Sequence, residues 1–344
     1  MKKIISIVLS CAILCGVFAG CNSTPASSAS KAESTAPAES SAAPAQSTPA
    51  TSGEKPKVAF ICKSYSDAFC VWVKDEMEKK AKSDYADLFE LVCFDAENNA
   101  NKQIDQINNC AANNFNIIVL QQVDAQAPVA AVKDAVAKGV KVIVTTGHIE
   151  DDGASVYIDA SPKQQGFVVA EYASTKLPEN AKVAIIQGPA GNFHANGRQE
   201  GMEEALAKRG DITIVDKQIG EWKKEKGLTI TQNWLSSIPD LKGILCHNDD
   251  MALGAYEAIK MAGKEGQIQI YGVDALAAAV VAVKDGNLMA TVFQNAVAYS
   301  DISLDYISKI IKGETVESVN IESDLVTPDN VNTYIELHKQ LGNL

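Results

Sequence analysis

From Lys57 to the C-terminus the chain alternates short apolar runs with longer segments of helical pattern, and it passes through that cycle twice. The strand-like runs are Lys57–Cys62, Phe89–Phe94, Asn116–Leu120, Val140–Thr145 and Val156–Asp159. A second series begins at Lys182–Gln187 and continues through Ile212–Asp216, Lys242–Cys246, Ile268–Val273 and Ala290–Phe293. Most are near-continuous apolar stretches, the pattern of strands covered on both faces. Between them Phe69–Lys82, Ala125–Lys138, Gly197–Lys208 and Met251–Met261 have helical length, and Gly139 and Gly263 stand where two of these would stop. Repeated β-α-β order builds a parallel, doubly wound sheet. The restart near Lys182 predicts two similar α/β lobes, in keeping with a body larger than one core usually spans.

The N-terminus bears on location. Lys2 and Lys3 precede an apolar run that ends in Val17-Phe18-Ala19-Gly20-Cys21, the layout of a secretory leader. That ending resembles a bacterial lipobox, which implies a signal peptide over 1–20 and a lipid on Cys21. An uncleaved membrane helix is the competing reading, but nothing downstream resembles a stop-transfer flank. Residues 21–56 are dominated by Ser, Ala, Thr and Pro, too poor in large apolar side chains to offset ordering entropy. This linker is expected to be disordered, with a root-mean-square span of roughly 30 Å. The expected location is the outer face of a bacterial cytoplasmic membrane, held by acyl chains. A net charge of −12 without a basic block argues against nucleic acid and against adhesion to anionic lipid. Beyond Cys21, five widely spaced cysteines (Cys62, Cys70, Cys93, Cys110, Cys246) make a poor disulfide framework and read as core thiols.

Open α/β sheets bind ligands beyond the carboxyl ends of their strands, and here those ends are chemically loaded. Lys63, Asp67 and Phe69 follow the first strand, and Thr146 and His148 the fourth. His194 and Arg198 follow the strand at 182–187, and Trp222 the next. Asn248, Asp274 and Gln294 close the series. Acids, amides and bases beside aromatic rings are a set suited to a sugar.

At these residues the chain resembles periplasmic sugar-binding proteins of the ribose, galactose and arabinose type. The most specific segment is Asn248-Asp249-Asp250-Met251-Ala252-Leu253-Gly254-Ala255, with Arg198-Gln199-Glu200-Gly201-Met202 and Gly272-Val273-Asp274 beside it. The resemblance covers essentially all of 57–344. It implies the type I periplasmic binding protein fold, α/β with two doubly wound lobes joined by three hinge crossings near Ala160, Gln294 and Ser323. The N-terminal lobe would comprise 57–160 plus 295–322, the C-terminal lobe 161–294 plus 323–344. It also implies that Asp67 and Phe69 supply an acid and a stacking ring, that Trp222 covers the opposite sugar face, and that Lys63, Arg198, Asn248, Asp274 and Gln294 are polar contacts. Two departures stand out: Thr146-Gly147-His148 replaces the family's acid or amide followed by a base, and His194 and Asn196 replace an acid or arginine. The calcium loop of galactose-type proteins is missing from Leu177–Ala181.

Each residue also has a plainer reading. Asp67 and Asp274 could cap helices, as could Asn248; Lys63 and Arg198 could form surface ion pairs; Phe69 could be core. Trp222, among Glu221, Lys223, Lys224 and Glu225, is set in polar sequence unlike a core. No zinc-type spacing links the histidines and cysteines, and Gly188-Pro189-Ala190-Gly191 lacks dinucleotide-loop spacing, so neither metal nor cofactor is expected. The expectation is a monomeric, non-enzymatic solute-binding lipoprotein that takes a monosaccharide, a hexopyranose first, or a small polyol by lobe closure. It would deliver that ligand to the membrane subunits of an ABC importer. The rivals are a sensor that presents its ligand to a membrane receptor, and a secreted α/β enzyme, for which no nucleophile elbow is found.

Overall fold

The computed structural model describes residues 54–344; the leader, Cys21 and the linker through residue 53 lie outside the described residues. Twelve strands are found among the described residues: β1 (Lys57–Cys62), β2 (Glu90–Asp95), β3 (Ile117–Leu120), β4 (Lys141–Thr145), β5 (Val156–Ala160), β6 (Lys182–Gln187), β7 (Thr213–Ile219), β8 (Leu241–Cys246), β9 (Gln269–Tyr271), β10 (Thr291–Phe293), β11 (Val319–Ile321) and β12 (Asp324–Val326). The helices are α1 (Ala68–Asp84), α2 (Ala100–Ala112), α3 (Val129–Ala137), α4 (Pro162–Lys176), α5 (Phe193–Ala207), α6 (Lys224–Ser237), α7 (Asp249–Met261), α8 (Ala277–Lys284), α9 (Ala296–Ile311) and α10 (Val331–Leu341).

One sheet has the order β11-β5-β4-β3-β1-β2 and another β7-β6-β8-β9, every pair within them parallel. β10 extends the second sheet through bridges from Tyr271 to Ala290 and from Asp274 to Phe293, and pairs antiparallel with β12. The apolar runs are continuous because alternate side chains serve different helix layers. In β1, Val58, Phe60 and Cys62 join one core and Ala59 and Ile61 another; in β6, Ala184 and Ile186 part from Val183 and Ile185 in the same way. The chain passes from the first sheet to the second after β5, returns after β10 into α9, which packs on α1, and crosses again between β11 and β12. This is the expected two-lobed, doubly wound architecture with three crossings.

Element ends differ from expectation where side chains, not apolarity, set them. α5 starts at Phe193 rather than Gly197 because the Asn192 side chain accepts from Ala195 N at 3.1 Å. α3 starts only at Val129, since Asp124 ties down Gln126 and Ala127 in a turn ahead of Pro128. β7 runs on to Ile219 as a sheet edge whose outer side chains face water, so its apolar signal stops early. All five described cysteines are unpaired, and burial pushes the Cys110 thiol up to about 11.

Candidate functional site

β1 is flanked by β2 and β3, and β6 by β7 and β8, so each sheet has a point where its winding reverses. A crevice forms outside the strand ends at such points. A polar cavity opens there, lined by the loops after β1, β3 and β4 of one sheet and after β6, β7, β8 and the β9–β10 edge of the other.

From the first sheet come Lys63, Asp67, Phe69 and Thr146. Asp67 does two jobs: one oxygen caps α1 through Cys70 N at 3.1 Å, and the other meets Lys63 Nζ at 2.7 Å. Burial works to raise its pKa, but Lys63 and the helix-end N–H hold the carboxyl below its usual range. Phe69 makes edge contacts with Trp72 and Tyr299 while lining the cavity, so it serves core and site together.

From the second sheet, the early start of α5 puts His194 and Arg198 on one helical face, four residues apart. The Arg198 guanidinium is buried at 3% exposure and spends its donors widely. Nε donates to Gln165 Oε1 at 3.0 Å, Nη1 to the His247 carbonyl at 2.5 Å, and Nη2 to Gln294 Oε1 and, at 3.5 Å, to Asp274 Oδ1. His194 Nδ1 lies 3.4 Å from Nη2 and its Nε2 2.9 Å from Asp159 Oδ1, which also accepts from Tyr299 at 3.1 Å. Asp274 does not cap a helix. Burial pushes its carboxyl well above the usual range, against the pull of Arg198. Asn248 does cap one, accepting from Met251 N at 3.1 Å, while its amide donates to the Trp222 carbonyl at 3.2 Å.

Trp222 is buried despite its polar sequence neighbours. Lys63 Nζ lies 5.3 Å and Arg198 Cζ 5.7 Å from its ring centroid, distances at which a cation is drawn to the π face. Gly188 makes this possible, because a Cβ there would collide with the indole. Thr146, Trp222 and Asp274 have φ of 59°, 63° and 127°, left-handed backbone that L residues seldom adopt. Such strain concentrates at functional sites.

Ten of the eleven sequence-predicted residues thus line one cavity. His148 does not: its half-buried ring packs at 4.7 Å on Tyr157 and 5.9 Å on Phe193, because the chain turns away after Thr146. Gln122, Asn192 and Cys70 line the cavity without having been singled out. Gln121-Gln122 directly after an apolar strand was the available signal for the first. Asn192 Nδ2 reaches the Val123 carbonyl at 3.5 Å, a contact between loops of opposite sheets. Among the described residues no group of three or more His, Cys, Asp or Glu side chains is placed to hold a metal ion.

Two cations and two carboxyls, interleaved with amides and two aromatic rings, suit an uncharged solute rich in hydroxyls. Two doubly wound lobes, three crossings and a polar cavity between strand ends define a two-lobed solute-binding protein. The chain belongs to the periplasmic binding protein family: the model of the Periplasmic binding protein domain matches residues 58–315. It is 29% identical to the D-ribose/D-allose-binding protein of Pseudomonas aeruginosa, over 78% of this chain and 86% of that one. It is also 29% identical to the xylitol-binding protein of Mycolicibacterium smegmatis, over 76% of this chain and 75% of the other. The solved ABC transporter solute binding protein of Bacillus halodurans with bound myo-inositol is 27% identical and superposes with a TM-score of 0.79, covering 83% of this chain and 99% of that one.

Proposed function

We propose that the protein captures a neutral monosaccharide or small polyol between its lobes and delivers it to an ABC importer. The observation that carries this reading is the polar cavity, in which the Lys63–Asp67 ion pair and Arg198 with Asp274 and Gln294 surround the space between Phe69 and Trp222. A charged solute would bring its own unpaired charge into a buried place where these groups already partner one another, at a cost of several kcal/mol. Hydroxyls can donate to the carboxyls and accept from the cations in turn, each such bond contributing about 1.5–3 kcal/mol. The relatives named above are named for ribose, allose and xylitol or hold myo-inositol, all neutral and hydroxyl-rich. A six-membered ring, of which hexopyranose is the first choice, fits two aromatic faces. Lobes of 57–160 plus 295–322 and 161–294 plus 323–344 would close on it, with no chemical conversion. A lipid on Cys21 would keep the protein at the outer face of the membrane, as a monomer.

A thermal-shift screen against neutral sugars and polyols tests the reading. Ligand at a hundred times its dissociation constant adds about 2.7 kcal/mol of stability. Stabilisation by sugar phosphates or amino acids in place of neutral polyols would refute it.

A further inference from the structure

We infer that Gln122, given room by Gly147 and held by Gln103, is a specificity-determining residue whose carboxamide takes a hydroxyl of the bound solute. The inference rests on the sugar or polyol reading above and adds a contact that neither the strand-end pattern nor the family resemblance supplied.

Three observations meet at this residue. First, Gln122 lines the cavity at 4% exposure, and its Oε1 is buried with no hydrogen-bond partner. Among the buried side-chain polar atoms of the cavity lining, the Trp222 indole N–H is the other that lacks one. Lys63, Asp67, Asn192, His194, Arg198, Asn248, Asp274 and Gln294 all have protein partners. Buried polar groups are nearly always satisfied, so two unpaired atoms on residues that line one cavity point to an occupant that pairs them. Oxygen and nitrogen of an amide are assigned by their surroundings, and either assignment leaves an end of this one unpaired.

Second, the backbone on both sides of Gln122 is clamped. Gln103, itself 1% exposed, donates from Nε2 to the Gln121 carbonyl at 2.9 Å and accepts from Val123 N at 2.9 Å. One side chain of α2 thereby fixes the peptide planes that set the direction of Gln122.

Third, Gly147 supplies the space. A Cβ at that position would fall on the Gln122 carboxamide. Its φ is not among the left-handed ones, so the backbone does not require glycine there. What it provides is the missing side chain. The Thr146-Gly147 departure from the family pattern and the position of Gln122 are one arrangement: the second residue after β3 occupies volume that any larger residue after β4 would take.

The solute therefore offers a hydroxyl donor to Gln122 and an oxygen acceptor to the Trp222 N–H, which selects among neutral polyols by the position of one hydroxyl. The test uses Gln122→Leu, Gly147→Ala, Gln122→Ala and the Gln122→Ala/Gly147→Ala double variant. They are titrated calorimetrically with D-ribose, D-allose, xylitol and myo-inositol and with monodeoxy analogues of whichever binds. Gln122→Leu should bind on the order of tenfold more weakly or worse. It should also lose the parent's discrimination against one deoxy analogue. Its ligand-free melting temperature should hold or rise, because an unpaired buried amide has been replaced by apolar bulk. Gly147→Ala should weaken binding in the parent and have little further effect beside Gln122→Ala, since the clash has lost its target. Binding by Gln122→Leu within twofold of the parent, or a lowered ligand-free melting temperature with the deoxy discrimination intact, would overturn the assignment and leave the sugar reading standing. Failure of the parent to bind any of the four would overturn both.

Discussion

Replacing Asp274 with alanine separates what this carboxyl does for the fold from what it does for the ligand. On the fold side it is a carboxyl partner of a guanidinium that is 3% exposed. Breaking a buried ion pair costs about 3–5 kcal/mol when the survivor is left uncompensated. Arg198 is not left so, because Gln165 Oε1 at 3.0 Å, the His247 carbonyl at 2.5 Å and Gln294 Oε1 remain. The pair is also long, at 3.5 Å, and burial already penalises the ionised carboxyl. The expected loss is therefore about 1–2 kcal/mol, that of one hydrogen bond, and a fall of a few degrees in melting temperature. The positive φ of 127° disfavours Ala somewhat more than Asp, so it adds to the loss rather than offsetting it. On the ligand side, the carboxyl's hydrogen bond is lost and a solute hydroxyl is left unpaired, at about 1–3 kcal/mol, which lowers affinity by roughly fivefold to a hundredfold. Calorimetric titration of parent, Asp274→Ala and Asp274→Asn with the same sugar reads both effects. The asparagine keeps shape and one acceptor for Arg198, so it should regain most of the stability without regaining the affinity. Unchanged affinity in Asp274→Ala alongside a lowered melting temperature would refute the reasoning and make Asp274 a part of the fold alone.

Other outcomes follow from the same geometry. Trp222→Phe should lose most of the sugar-induced change in tryptophan emission while still binding, and Trp222→Ala should bind at least tenfold more weakly as stacking and apolar burial vanish together; equal binding by the alanine variant would remove the ring from the site. His247 is held neutral, its pKa lowered to about 3 by burial and by Arg198, with Nδ1 accepting from Gly188 N at 3.1 Å. A depressed base stabilises fully above its unfolded value near 6.5, so up to about 4 kcal/mol should drain away as pH falls from 6.5 towards 3, and His247→Asn should flatten that fall in acid melts. Asp250, pushed up to about 6 by burial and by Asp67, has the opposite sign: the folded state holds its proton longer, so stability drops as pH rises from about 4 to 6. Asp250→Asn should accordingly melt higher than the parent at pH 7. Cys21→Ala should abolish labelling by a fatty acid, and continued labelling would remove the anchor from the proposal.

The strand positions, their parallel two-lobed winding and most of the cavity were legible because they rest on patterns local in sequence. Continuous apolar runs such as Lys182–Gln187 mark strands buried on both faces, and their polar followers mark the crevice. What stayed hidden depends on partners far along the chain. One exception is local: Asn192 caps α5 through Ala195 N three residues on, starting the helix four residues before the apolar pattern and so aligning His194 with Arg198. Gln122 owes its place to Gln103 and Gly147, nineteen residues before it and twenty-five after. His148 packs on Tyr157 and Phe193 rather than lining the cavity, and spacing after a strand does not fix which way a side chain turns. The roles of Asp67 and Asn248 as caps and as cavity residues proved compatible, since one carboxylate or amide has enough valences for both.

The guanidinium of Arg198 has a consequence for how such a protein can change. It touches Gln294 at the second crossing directly, reaches Ser323 at the third through Gln165, and reaches Asp159 beside the first through His194. A single side chain thus stands at the hub of the three strands about which the lobes would swing. An edit at the hub alters the diet and the gait of the molecule together, whereas an edit on the spokes, at Gln122, Thr146 or Trp222, alters the diet alone.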